Sequence, residues 1–180
     1  MVYMFLANGF EEIEALYTVD VLRRAGVDIK TVGVGNKTIT GSHKISVACD
    51  VIDSEISIND DFDMVILPGG LPGSTNLDES EIVDAFIKKA NECDRFICAI
   101  CAAPFILGKR GLLRGKRATC FPGFEDQLDG ATIVDAGCVR DGKIITGRAM
   151  GSAHEFALEI LSALLGNDTA SKIKNAIILK

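Results

Sequence analysis

Cys101 is the residue whose type and position most directly suggest chemistry. It follows an apolar, strand-like run, Arg95–Ile100, and a helical pattern starts immediately after it, which predicts a sharp strand-to-helix turn, the geometry of a nucleophile elbow. There the sulfur would lie above a helix N-terminus, whose free N–H groups and dipole favour a thiolate with a lowered pKa. Pro104 fits because proline is tolerated in a first helical turn. A buried structural cysteine at a strand end is the alternative.

Glu14 is the predicted partner of this sulfur. It belongs to the segment Asn8–Glu14, which follows the first predicted strand, and lies three residues after Glu11. Glu11 and Glu12 are expected only to complement the helix dipole. An inward-pointing Glu14 would lie close to the thiolate, and because two such groups cannot both ionise easily, one proton would be shared. Protonated Glu14 would then donate a hydrogen bond to the sulfur.

Two backbone N–H groups are predicted to complete the site. Gly69-Gly70 ends the central apolar strand and leaves the backbone unobstructed, so that the N–H of Gly70 and the N–H of Ala102 would bind an oxyanion. A tight turn that needs positive φ explains the glycines equally well, and both interpretations can hold together. All three segments follow strands, and parallel sheets bind ligands at the carboxyl ends of their strands.

Other motifs give weaker signals. Cys98 and Cys101 form a C-x-x-C, but residues three apart on a strand point to opposite faces, which argues against a redox dithiol. No second cysteine pair has zinc-site spacing. Gly33-Val-Gly35 lacks the third glycine of a dinucleotide fingerprint and follows the second strand. His43 and His154 are not clearly placed near the elbow, and surface or capping roles are favoured for both.

Composition excludes several functional classes. The chain has 180 residues, 48% of them hydrophobic and 24% charged, which predicts one domain over residues 1–180 of a soluble globular protein. A net charge of −6 argues against nucleic acid or anionic membrane as a partner. No apolar run is long enough to cross a membrane, and the N-terminus reads as a strand rather than a signal peptide. Six scattered cysteines without an export signal predict reduced thiols in the cytoplasm, and no metal or cofactor motif is present.

Strand and helix patterns alternate, which predicts an α/β sandwich with a mainly parallel sheet. Asp78 with Glu81, and Ser152 with Glu155, are spaced as capping boxes. The predicted strands are Val2–Ala7, Asp28–Gly35, Phe62–Leu67, Arg95–Ile100, Ala118–Phe121, Thr132–Val134, Cys138–Arg140 and Lys143–Thr146, with a looser hairpin at Thr38–Val51. The predicted helices are Glu11–Ala25, Ser80–Asn91, Ala102–Arg110 and Ser152–Leu165, followed by a short terminal segment, Thr169–Leu179.

Five segments together resemble the ThiJ/PfpI superfamily, in particular the branch of the Parkinson's-disease-linked protein deglycase and the bacterial YajL-type proteins. The resemblance covers nearly the whole chain in matching order. The segments are Gly9–Glu14, Val19–Gly26, Val65–Gly70, Ala99–Pro104 and Glu155–Leu158. It implies a three-layer flavodoxin-like sandwich, usually a homodimer, with the reactive cysteine at Cys101, its protonated partner at Glu14 and oxyanion amides at Gly70 and Ala102.

The family's reported activities set the functional expectation. They are cofactor-free glyoxalase, protein deglycation, chaperone action and oxidative-stress sensing, which implies small reactive aldehydes or glycated groups as partners. Phe121 stands where some members have a histidine near the cysteine, which argues against a Cys-His hydrolytic dyad and most of all against protease activity. His43 stands where the human relative has an arginine. A non-enzymatic redox sensor or redox-regulated chaperone that uses a Cys101 sulfinate is the alternative, and sequence cannot separate the two.

Overall fold

A computed structural model describes residues 1–179 as a seven-stranded sheet between two layers of helices. The strands are β1 (Val2–Leu6), β2 (Ile29–Gly33), β3 (Thr38–Thr40), β4 (Ser46–Ala48), β5 (Val51–Ile52), β6 (Met64–Leu67), β7 (Phe96–Ile100), β8 (Arg117–Ala118), β9 (Thr132–Ile133), β10 (Cys138–Asp141) and β11 (Ile144–Gly147). The helices are α1 (Glu12–Arg24), α2 (Gly73–Asp78), α3 (Glu81–Glu92), α4 (Pro104–Lys109), α5 (Ala153–Leu165) and α6 (Asn167–Ala176).

The main sheet is parallel except at one edge. Its order is β10-β11-β7-β6-β1-β2-β5, and only the hairpin β10–β11 is antiparallel. Two small two-stranded sheets, β3–β4 and β8–β9, lie outside it. The predicted three-layer flavodoxin-like sandwich is confirmed. No helix in residues 1–179 is long and apolar enough to cross a membrane.

Each face of the sheet has its own apolar core because successive strand side chains point to opposite sides. In β1, Met4 and Leu6 pack with α1 and α5 on one face, whereas Tyr3 and Phe5 pack with α3 and α4 on the other. All four side chains are at most 1% exposed. Such burial on both faces explains why the parallel strands are continuously apolar in sequence.

The topology brings the predicted site segments to one edge of the sheet. Strands β1, β6 and β7 are parallel neighbours in the centre. Their carboxyl ends therefore lie side by side, and these ends continue into Asn8–Glu14, Pro68–Gly70 and Cys101 respectively.

Helix α2 was not predicted from the sequence. It has six residues, including a glycine, and only Leu77 is a buried apolar residue, so it has no periodic stripe. Tertiary bonds hold it in place, among them the Asn76 side-chain amide, which donates to Asn8 O at 2.8 Å. The terminal segment also forms a regular helix, α6, that packs against α5.

Both predicted capping boxes are wrong. Ser80, rather than Asp78, caps α3 by accepting from the N–H of Val83 at 3.5 Å. Asp78 ends α2 and forms ion pairs with two cationic side chains instead. Ser152 does precede α5, but its hydroxyl exchanges hydrogen bonds with Ala149. In both cases partners outside the following helix compete for the side chain.

Candidate active site

Cys101 lies at the turn between β7 and α4, with φ of +65°. This left-handed conformation is rare for a residue other than glycine, and residues held there cluster at functional sites. Two backbone bonds hold the turn: Cys101 N–H donates to Gly147 O at 3.0 Å, and Phe121 N–H donates to Cys101 O at 2.8 Å. Cys101 thus lies outside the strand. The prediction that Cys98 and Cys101 point to opposite faces of a strand is therefore wrong, and both residues contact the same apolar core.

Glu14 projects inward from the first turn of α1 and is 1% exposed. Glu11 caps this helix, accepting from the Glu14 N–H at 2.7 Å, and so fixes the backbone of the residue. In the side chain, Oε2 accepts from the N–H of Gly69 at 2.8 Å. Oε1 is buried, and nothing in residues 1–179 satisfies it at hydrogen-bonding geometry. A buried carboxylate oxygen without a partner is costly, which favours a protonated carboxyl.

Gly69 is the point where the cysteine and the glutamate meet. A Cβ atom at this position would lie 2.5 Å from Cys101 Cβ and 2.6 Å from Glu14 Oε2. Only glycine lets the backbone pass this close to both side chains. The glycine therefore allows Cys101 and Glu14 to lie side by side against one peptide group.

The N–H groups of Gly70 and Ala102, the predicted donors, lie close enough to the Cys101 sulfur to lower its pKa. Each belongs to a peptide whose carbonyl is also held. Gly69 O accepts from Glu11 N–H at 2.9 Å, and Cys101 O accepts from Phe121 N–H. The two donors are consequently fixed in orientation, as an oxyanion site requires.

The electrostatics of the pair differ from the sequence prediction. Burial raises the pKa of Glu14 to about 7. Burial and then the neighbouring Glu14 carboxylate raise the pKa of Cys101 to about 12, against the lowering by the Ala102 and Gly70 N–H groups. The predicted low pKa for the thiol alone is therefore wrong. The two groups instead hold one proton between them over the neutral range, and a thiolate forms when Glu14 takes that proton.

His43 and His154 make no hydrogen bond to Cys101 or Glu14 in the described part of the chain. His43 lies in the β3–β4 hairpin, where its Nδ1 is 3.0 Å from Glu12 Oε2. His154 Nε2 lies 3.8 Å from Glu155 Oε1 at the start of α5. Neither imidazole provides the base that a Cys-His dyad needs.

Glu11, Glu12 and His43 have side-chain ligand atoms within 4.8 Å of one another, as a metal site would require. The Glu12 oxygens, however, accept hydrogen bonds from the hairpin, including the N–H of His43 at 2.7 Å. Burial alone would raise the pKa of Glu12, but the bonds from His43 and Ile45 hold it below its ordinary value. Glu12 therefore anchors the hairpin to α1.

Sequence patterns missed the backbone partners from distant segments. Phe121 contributes its N–H to the Cys101 turn, while its side chain is 44% exposed. Gly147 contributes a carbonyl from the neighbouring strand β11. Contacts of this kind leave no local sequence signal, because the partner supplies only backbone atoms.

Comparison with known proteins gives one family. The model described as the DJ-1/PfpI family matches residues 1–163. The Arabidopsis thaliana "Protein DJ-1 homolog B" is 36% identical over 178 residues, which are 97% of this chain but 40% of the relative, so the chain spans less than half of that protein. The Pyrococcus abyssi protein named "Deglycase PYRAB04690" is 32% identical over 166 residues, 91% of this chain and 98% of the relative.

Solved structures give the same result. The structure titled "Toxoplasma gondii DJ-1, oxidized" superimposes with a TM-score of 0.94 at 31% sequence identity. The match covers 98% of this chain and 97% of that chain. The fold and the order of its elements are thus shared along nearly the whole length.

Proposed function

The chain belongs to the DJ-1/PfpI family, and from this premise we propose that it uses Cys101 to act on reactive aldehydes or glycated groups, as a glyoxalase or deglycase. The observation that supports this most is the pairing of Cys101 with buried Glu14 beside two backbone donors. The relative named a deglycase supports the substrate class. We place the activity in oxidative and carbonyl stress, in a cytoplasmic homodimer that needs no cofactor.

The first step is addition of the Cys101 thiolate to the aldehyde carbon. A C–S bond forms, and the C=O π-electrons move to oxygen, which becomes an alkoxide. The N–H groups of Gly70 and Ala102 would stabilise that charge. Glu14 then gives its proton to the oxygen, leaving a neutral hemithioacetal and a Glu14 carboxylate.

A 2-oxoaldehyde can go further without an added oxidant. The Glu14 carboxylate would remove the proton from the former aldehyde carbon and return it to the neighbouring carbon. The hydroxyl proton of the hemithioacetal moves to the oxygen of the neighbouring carbon, so that the first carbon is oxidised to a thioester while the second is reduced to an alcohol. Water then cleaves the thioester, which gives a 2-hydroxy acid and frees Cys101.

We expect this chemistry to be slow, because Phe121 offers no base for the hydrolysis. General-base assistance typically contributes about 10²–10⁴-fold to a rate. Its absence also argues against protease activity. Phe121→His is expected to raise turnover, since the Phe121 backbone is bonded to Cys101 and a side chain there lies beside the turn. An unchanged rate in a folded variant would remove covalent hydrolysis from the account.

A redox sensor, with or without chaperone action, is the second candidate, and the unpartnered Glu14 Oε1 favours it. Peroxide would transfer one oxygen to the Cys101 thiolate and leave as water, and a second peroxide would give the sulfinate. Protonated Glu14 and the two N–H donors would then bind the sulfinate oxygens. The oxidised state named for the Toxoplasma relative is in line with this possibility.

Turnover of methylglyoxal by the wild type and by Cys101→Ser tests the proposal. Cys93→Ser is the matched control because Cys93 is an exposed free cysteine at the C-terminal end of α3, before β7 begins. We expect hydroxy acid from the wild type and the control, and none from Cys101→Ser. Equal turnover in Cys101→Ser would contradict the proposal. No turnover in the wild type, together with Cys101 sulfinate after peroxide, would assign the sensor function instead.

A further inference from the structure

The two N–H donors at Cys101 belong to segments that lead directly into two short helices. Gly70 precedes α2 by three residues, and Ala102 precedes α4 by two. Each helix has six residues, and neither has a side-chain cap at its N-terminus. Helices this short are not stable alone, so tertiary bonds must set their positions.

The charged bonds that join the two helices to each other lie at their C-terminal ends. Asp78, the last residue of α2, has a side chain that is only 6% exposed. Its Oδ2 lies 2.6 Å from Lys109 Nζ, and its Oδ1 lies 2.5 Å from Arg110 Nη1. Arg110 Nη2 also donates to the Asp78 carbonyl at 3.2 Å. Lys109 and Arg110 are the residues that end α4, so Asp78 joins the end of one helix to the end of the other.

Arg110 extends this junction to a third helix. Its Nε donates to Asp84 Oδ1 in α3 at 2.8 Å, and its Nη1 donates to the Ile106 carbonyl in α4 at 2.9 Å. The guanidinium is planar and holds its donors in fixed directions. Its side chain is 16% exposed, so water screens these charged bonds less than it would at an open surface.

We propose that Arg110 is a positioning residue for the proposed Cys101 chemistry. By joining the C-terminal ends of α2 and α4 it fixes the separation of their N-terminal ends, and with it the positions of Gly70 N–H and Ala102 N–H against the sulfur. The inference rests on the proposed function only in giving these donors a role. Without Arg110 the distance between the N–H groups of Gly70 and Ala102 would increase, and the Cys101 thiolate would lose part of its stabilisation.

The variants remove the bonds and the charge of this junction with a limited change of side-chain shape. Arg110→Met removes every donor but keeps an unbranched stem, and a cavity of about 500 Å³ lined by Asp84, Ile87, Arg110 and Leu112 lets the new side chain relax. Asp78→Asn keeps the shape and weakens the same junction from the other side. Arg114→Met is the control, since Arg114 also follows α4 and binds Asp129 through Nε at 2.9 Å and Nη2 at 2.6 Å, but at the exposed surface.

The readouts are the alkylation rates of Cys101 at neutral pH and at a mildly alkaline pH, each followed by mass spectrometry. Weakening a donor to a charged group by about 1 kcal/mol changes an equilibrium about fivefold. We therefore expect both rates to fall about three- to tenfold in Arg110→Met and in Asp78→Asn, and to stay unchanged in Arg114→Met. Arg110→Lys should recover part of the loss.

Wild-type alkylation rates in a folded Arg110→Met variant, whatever its melting temperature, would overturn the proposal and leave Arg110 a purely structural role. If that variant does not fold, wild-type rates in Asp78→Asn would overturn it in the same way. Neither readout depends on aldehyde turnover, so a wild type without turnover would remove the proposed function and leave this test intact.

Discussion

At the scale of single residues, the account depends on two buried glutamates of one helix turn that behave oppositely. Glu14 has an oxygen without a partner among the described residues and a raised pKa, whereas Glu12 accepts several N–H donors and has a lowered pKa. Sequence predicted that Glu14 points inward and shares a proton, because its helical phase and its place after β1 are local properties. It did not predict that Glu12 is buried, because the hairpin that buries it is 31 residues away.

The first prediction concerns the pH dependence of stability. Glu14 titrates near 4.5 when unfolded and near 7 when folded, so the native state binds the extra proton between these values, and stability falls as pH rises through them. A difference of this size corresponds to roughly 3 kcal/mol. The stability of Glu14→Gln is expected not to fall over this pH range. Urea denaturation of both proteins at several pH values would measure the difference.

Glu12→Gln is the matched control with the opposite sign. Because the folded pKa of Glu12 is lowered, its contribution to stability is present at neutral pH and is lost as pH falls. Glu12→Gln should therefore be less stable than the wild type at neutral pH. Parallel stability curves for the wild type and Glu14→Gln would show that Glu14 titrates normally in the folded chain.

At the scale of elements, the site forms where three neighbouring parallel strands end side by side. Glycine at position 69 lets Cys101 and Glu14 approach each other there. The β-strand pattern and the abrupt start of α4 made the turn predictable from sequence, and the N–H groups of the predicted donors lower the pKa of the sulfur. Helix α2 was not predictable, because long-range bonds such as that of Asp78 stabilise it. The low thiol pKa was predicted wrongly, because a sequence does not reveal how deeply a side chain is buried.

Gly69→Ala tests this packing. The added methyl group would collide with Cys101 Cβ and Glu14 Oε2, so we expect a loss of about 1–3 kcal/mol in stability and a clear loss of Cys101 alkylation. Gly151→Ala is the control, because among residues 1–179 no atom beyond its chain neighbours and its own helix backbone lies within 4 Å of a Cβ there. Equal alkylation rates in the two variants would show that Cys101 and Glu14 do not need this close approach.

At the scale of the whole molecule, the alternation of strands and helices was enough to predict the layered sandwich, since parallel strands need helical crossovers. One domain over residues 1–180 and a homodimer stay predictions. Apolar side chains are exposed near the N-terminus of α1, where Ile13 is 49% and Ile45 54% exposed. A dimer through this region would cover them and would bring a second copy close to Glu14.

We predict a particle of twice the chain mass in sedimentation at micromolar concentration. Ile13→Lys should give the monomer, because a charge would have to be buried in the interface. Ile178→Lys is the control, because Ile178 is 81% exposed at the far end of the chain and its replacement should leave the dimer intact. A wild type that sediments as a monomer at every concentration would contradict the assembly.

The pH dependence of Cys101 alkylation tests the central claim most directly, because that claim is one proton shared between Cys101 and Glu14. Iodoacetamide labelling with mass spectrometry follows all six thiols at once. In the wild type we predict that the alkylation rate of Cys101 rises in a step near pH 7, where the pair loses its first proton. In Glu14→Gln that step should vanish, and the rate just above neutral pH should fall about tenfold or more. The same pH profile of Cys101 alkylation in both proteins would contradict the shared proton.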